Sequence, residues 1–184
     1  MHHVVSAEDT VKRALLGTLV LAAVATTGDW IWATFLSEHV VAAGLLHGAL
    51  LCLAMGAMIG LAPGRPAVGA AAGLGIGFAA AALYYLLAPM LRFAAMIVAW
   101  FSLWVMLAVV YHRLTNGTSA ALAATRGILA GTASGLAFYL VSGMWTEWSP
   151  QQINYADHFV RWACAFAPGF AVIHGGRSRA SNAL

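Results

Sequence analysis

Charge is scarce in this chain. Its 184 residues include nine Lys and Arg and six Asp and Glu, so 8% are charged and 62% hydrophobic. A soluble domain carries roughly 25% charged residues. This sequence cannot cover a water-facing surface, and it reads as an integral membrane protein, multi-pass, of a plasma or inner membrane. It also lacks the segments of about ten residues with alternating polarity from which membrane barrels are built. Its apolar runs instead exceed ~18 residues, the length at which a helix crosses a bilayer. The net charge of +3 is small and sorted by side, a topology signal rather than a sign of nucleic-acid binding.

Cysteine is nearly missing. Cys52 and Cys164 each fall mid-span in apolar sequence and are expected to act as small buried hydrophobes. There is no CxxC and no zinc spacing. No HxxxH, HxxH or HExxH places two ligands on one helix face. Asp29, Glu38, His39, His47 and His158 all fall toward one side of the membrane, yet no metal and no cofactor are expected. His47 has no mid-membrane histidine to share a haem. No GxSxG nucleophile elbow or P-loop occurs. The run "GLGIGFAAA", Gly73 to Ala81, echoes a nucleotide loop but lies inside a span and follows no strand. No catalytic residue can be named.

What the sequence does contain is six apolar spans, at about 12–36, 40–62, 67–88, 92–112, 120–145 and 155–174. They form a single transmembrane domain over 1–184, with a flexible tail at 175–184. The expected fold class is all-α, a polytopic membrane helix bundle of six transmembrane helices with both termini cytoplasmic. Lys12, Arg13, Arg65, Arg113, Arg126, Arg177 and Arg179 fall on the terminal side; only Arg92 and Arg161 fall opposite. Cytoplasmic loops carry the excess of basic residues, which orients the termini inward. The sequon at Asn116–Thr118 is then cytoplasmic and unused. An alternative stays open for the first span: "VKRALLGTLVLAAVATTG" has a basic start and an A-x-A triplet, as a cleavable signal would. However, "WIWATFL" continues the apolar run beyond it.

Glycines recur every fourth residue: Gly69, Gly73 and Gly77, then Gly127, Gly131 and Gly135, with Gly44–Gly48 and Gly56–Gly60 in the second span. Small-xxx-small stripes let helix backbones approach closely in lipid. The expectation is packing within the bundle, with a homo-oligomer left open.

The stretch "TTGDWIWATF" sets Asp29 about 10 Å below the outer surface, where an ionised carboxylate costs roughly 2.5–3.5 kcal/mol on insertion scales. Such a group should be paired or should line a wet cavity. His47 and Arg161 reach similar depth from the same side, so Asp29 is expected to pair with one of them. Tyr84, Tyr85, Ser142 and Trp145 lie near the outer ends of their spans and complete a candidate ligand-binding set. The aromatic residues Trp100, Phe101 and Trp104 would flank the ligand's apolar part.

The segment "WTEWSPQQINYADHFVRWACAFAPGFAVIHGGR", Trp145 to Arg177, resembles the last loop and sixth span of the Insig (insulin-induced) family. The residues that carry the likeness are Ser149, Pro150, Tyr155, Val160, Arg161, Trp162, Cys164, Gly176 and Arg177. "YHRLTNG", Tyr111 to Gly117, is similar to the basic segment after that family's fourth span. The resemblance implies six spans, cytoplasmic termini and a lipid or sterol-like molecule held between helices. It departs at His112, where the family has a partner-binding Asp, and at "APMLRF" between spans three and four.

Three functions follow as expectations. The first is a non-enzymatic protein that binds a membrane lipid or other hydrophobic small molecule. The second is a small transporter or intramembrane enzyme with Asp29 and His47 as a proton-handling pair. The third is a structural subunit whose polar pair only locks helices.

Overall fold

The computed structural model describes residues 7–92, 94–115, 119–141 and 154–175. Six helices account for nearly all of them: α1 (Ala7–Phe35), α2 (Val40–Leu61), α3 (Pro66–Leu91), α4 (Ala94–Leu114), α5 (Ala120–Val141) and α6 (Tyr155–Gly175). Ser142, Trp145, the sequon, Ser149, Pro150 and the tail from Gly176 lie outside the described residues.

Local chemistry sets the ends. α1 begins five residues before the expected span, because Glu8 and Asp9 occupy its first turn and Glu8 pairs with Lys12 one turn on, at 2.6 Å. Acids at a helix start are favoured by the helix dipole. Pro66 opens α3, where its missing N–H costs nothing. Ser119 Oγ accepts from the Leu122 N–H, and Asn154 Oδ1 accepts from the N–H groups of Ala156 and Asp157. Both are side-chain caps at helix starts. α3 does not stop at Pro89 as expected; it runs through it to Leu91. The Arg92 N–H closes this last turn on the Ala88 carbonyl, and Arg92 then breaks the helix with φ of 50°.

Five helices, α1 to α5, are long and apolar enough to cross a membrane. The protein is a multi-pass integral membrane protein. Its outer face fits lipid: Leu15, Leu19, Phe78, Leu86, Leu136 and Leu140 all stand exposed.

Each helix packs on its neighbours in sequence, and α6 returns to α1, which closes the six into a ring. The tightest seam joins α2 to α3. There a Cβ on Gly56, Gly69, Gly73 or Gly77 would land on the facing carbonyl of Gly69, Gly56, Cys52 or Gly48. The order of these pairs is antiparallel. The α5 stripe faces α4 in the same way: Gly127 against Val105 and Ala108, Gly131 against Phe101, and Gly135 against Trp100. The glycine stripes are therefore spent on packing within the chain. Trp104, Phe166 and Phe170 are fully buried at the centre, with Gly169 making room for the Trp104 ring. Cys52 is buried as expected, but Cys164 is exposed.

Candidate functional site: a buried carboxylate beside an aromatic cavity

Asp29 is 3% exposed. It sits six residues from the C-terminal end of α1, on the face that α6 covers. Its Oδ2 accepts two hydrogen bonds, from Trp162 Nε1–H at 2.7 Å and from His158 Nδ1 at 3.0 Å. With Asp29 as a carboxylate, which can only accept, this contact is made by the His158 form that carries its proton on Nδ1. His158 and Trp162 are four residues apart, hence stacked on one face of α6. That spacing is why a single oxygen meets both.

The expected partners are placed otherwise. Arg161 does not reach Asp29. Its Nε bonds Asp157 Oδ2 at 2.6 Å, one turn back on α6, and both side chains are more than a third exposed. A pair within one helix forms without bringing two helices together, and position 161 is rotated about 100° from Trp162. Since exposed pairs of this kind contribute about 0–1 kcal/mol, Arg161→Ala should leave the midpoint of thermal unfolding in detergent within about 3 °C of the parent. A larger loss would place Arg161 in the buried site after all.

His47 lies close by but makes no hydrogen bond with Asp29. Its ring packs on α1 at Gly28, where a Cβ would collide with Nδ1 and Cε1. Its Nδ1 is buried with no bonding partner among the described residues. Trp32 and Trp162 flank the ring, each with centroid 6.3 Å away. Gly28 thus lets α2 approach, and the imidazole is packed between the α1 backbone at Gly28 and its aromatic neighbours.

Inside the ring of helices, in the half nearer the Asp29 end, lies a cavity of about 390 Å³. All six helices contribute to its wall: Trp32 from α1, His47 from α2, Tyr84 and Tyr85 from α3, Trp100 from α4, Phe138 from α5 and Trp162 from α6. Gly44, Gly48 and Gly77 keep the α2 and α3 walls low. Trp100, Phe138, Trp162 and Phe166 form one aromatic block. Trp100 stacks on Phe138 at 4.9 Å and on Phe166 at 5.7 Å, and Trp162 stacks on Phe166 at 5.5 Å. Tyr85 fixes one edge of the cavity by donating its hydroxyl to the Val40 carbonyl at 2.8 Å. A Cβ at Gly44 would strike that hydroxyl.

Of the candidate residues, the structure places His47, Tyr84 and Tyr85 on the cavity wall. Asp29 is one hydrogen bond behind the wall, through Trp162, and Arg161 is away from it; Ser142 and Trp145 lie outside the described residues. In the aromatic patch of α4, Trp100 lines the cavity and Trp104 belongs to the core. Sequence reasoning missed His158 and Trp162 as partners of Asp29. Their four-residue spacing near the start of α6 was the available signal. Among the described residues, no three His, Cys, Asp or Glu side chains converge as a metal site would require.

The chain matches no known protein family, no curated protein and no solved structure.

Proposed function

We propose that this protein is a non-enzymatic binder of a hydrophobic, lipid-like small molecule, held in the cavity within the membrane. The observation that carries the reading is the cavity itself. Its volume of about 390 Å³ falls in the range of small-molecule pockets, which are lined mostly by apolar and aromatic groups with a few polar ones to set orientation. Here the imidazole of His47, the hydroxyls of Tyr84 and Tyr85 and the unpartnered indole N–H of Trp100 are among the polar groups on a mostly apolar wall.

The same reading takes α6 as a sixth span and both termini as cytoplasmic. α6 is 21 residues long, about 31 Å, and lies between α1 and α5. Its outer end carries Asp157, His158 and Arg161, which lowers its apolarity without shortening it. Seven basic residues on the terminal side against two opposite support the orientation. The similarity of Trp145–Arg177 to the Insig family fits a molecule held between helices.

Filling the cavity tests the function. Ala81 is a small, half-buried wall residue, and Ala81→Phe would put a ring into the space. Native mass spectrometry of the parent in mild detergent should show a retained hydrophobic molecule. Ala81→Phe should lose at least about nine-tenths of it, roughly the 1.4 kcal/mol of a tenfold affinity change, while remaining folded by circular dichroism. A parent that retains nothing, or a folded variant that retains as much, would remove the cavity as a binding site.

A further inference from the structure

We propose that the molecule taken into this cavity is an organic cation, a compact ammonium with a single apolar tail; the inference rests on the binding role just given. Three features of the wall point this way. First, six aromatic rings surround the space: Trp32, Tyr84, Tyr85, Trp100, Phe138 and Trp162. Ring faces carry negative potential and attract ammonium groups, most strongly where water is excluded, and aromatic cages are the common receptors for quaternary ammonium.

Second, a buried carboxylate stands directly behind that wall. Asp29 is 97% removed from solvent by its 3% exposure, and Trp162 is the ring between it and the cavity. By donating its N–H to a carboxylate, the indole gains electron density, which makes its face a better partner for a cation. Only Oδ2 is engaged, by Trp162 and His158; Oδ1 makes no hydrogen bond within the described residues. The negative charge is therefore shared but not enclosed.

Third, no lysine or arginine among the described residues lines the cavity. On α6, Arg161 is bound to Asp157 and His158 to Asp29. An anionic head would find the indole N–H of Trp100 and the ring of His47 but no lysine or arginine to balance its charge, with Asp29 just behind Trp162, so a fatty acid or phosphate is disfavoured. A neutral alcohol or sterol would gain the apolar contact without using Asp29. The volume of about 390 Å³ lies at the low end of small-molecule pockets, which favours a compact molecule over a phospholipid with two chains.

Three probes of one tail length separate the alternatives: octyltrimethylammonium, octanol and octanoate. Each is titrated into the full-length protein in lipid nanodiscs, with tryptophan fluorescence read at each step. Binding near Trp100 and Trp162 quenches or shifts their emission. Octyltrimethylammonium should bind about tenfold more tightly than octanol, and octanoate more weakly than both. In Asp29→Asn the preference for the cation over octanol should fall below about threefold. Should that variant not fold, the comparison among the three probes on the parent still decides. Equal saturable binding of ammonium and alcohol, or tighter binding of octanoate, overturns the cationic ligand and leaves the hydrophobic cavity standing. If no probe saturates, both the cation and the binding role fall.

Discussion

Gly73→Leu should leave little folded protein. The α2 and α3 backbones touch at this residue: a Cβ there would land on the Cys52 carbonyl and within 3.1 Å of Gly56 Cα. Neither can yield as a flexible side-chain tip would. To seat leucine the helices must separate along a seam that also includes Gly48, Gly56, Gly69 and Gly77, and in lipid that seam is held by close packing and not by exclusion of water. Overpacking a tight interior costs about 1–3 kcal/mol and sometimes more; with backbone on both sides, a loss of about 3 kcal/mol or more is expected. In a chain of this size each kcal/mol lowers the unfolding midpoint by roughly 2–4 °C, so Gly73→Leu should melt at least about 6 °C below the parent, or elute as aggregate. Gly75 supplies the control. It lies two residues away on the same helix, is exposed, and has nothing within 4 Å of a Cβ. Gly75→Ala should be neutral or stabilising by up to about 1 kcal/mol, since alanine suits a helix interior better than glycine. Similar melting of the two variants would mean that the α2–α3 seam is not as close as described.

The glycine spacing that gives this prediction was legible in the sequence, because small residues repeat at the pitch of a helix face. The apolar lengths of α1 to α5 were legible for the same kind of reason, being properties of single segments. Boundaries were less so. Glu8 and Asp9 extended α1 through capping chemistry, and Pro89 proved compatible with a final turn of α3. The Asp29 site shows where single-segment reasoning ends. Depth alone made His47 and Arg161 comparable and left His158, only three residues into α6, nearer the surface. Choosing among them requires knowing that α6 lies against α1 and which face of α6 it turns inward. The first follows from closure of the ring, a property of all six helices together. The second depends on rotation: Asp157 and Arg161 share one stripe of α6, His158 and Trp162 the next. The cavity was equally hidden, because its wall draws on every helix.

Asp29→Leu should destabilise the protein by about 1–2 kcal/mol, the balance of two opposed terms. Removing the carboxylate relieves the cost of holding a charge at membrane depth, roughly 2.5–3.5 kcal/mol on insertion scales. It also strips the acceptor from two part-buried donors, Trp162 Nε1–H and His158 Nδ1–H. Hydrogen bonds to a charged group contribute about 1.5–3 kcal/mol each. Two lost bonds outweigh one relieved charge. Asp29→Asn keeps an acceptor oxygen of nearly the same shape, so it should cost about 1 kcal/mol. Trp162→Phe, which deletes one donor and keeps a ring on the cavity wall, separates pairing from packing. If Asp29 and Trp162 act as a bonded pair, Asp29→Leu in the Trp162→Phe background should cost less than in the parent by about 1–2 kcal/mol, as contacting residues couple by 0.5–3 kcal/mol. Equilibrium unfolding of the four proteins measures this directly. Strict additivity would show that the 2.7 Å contact contributes nothing of its own, and that Asp29 is held in the membrane by His158 alone.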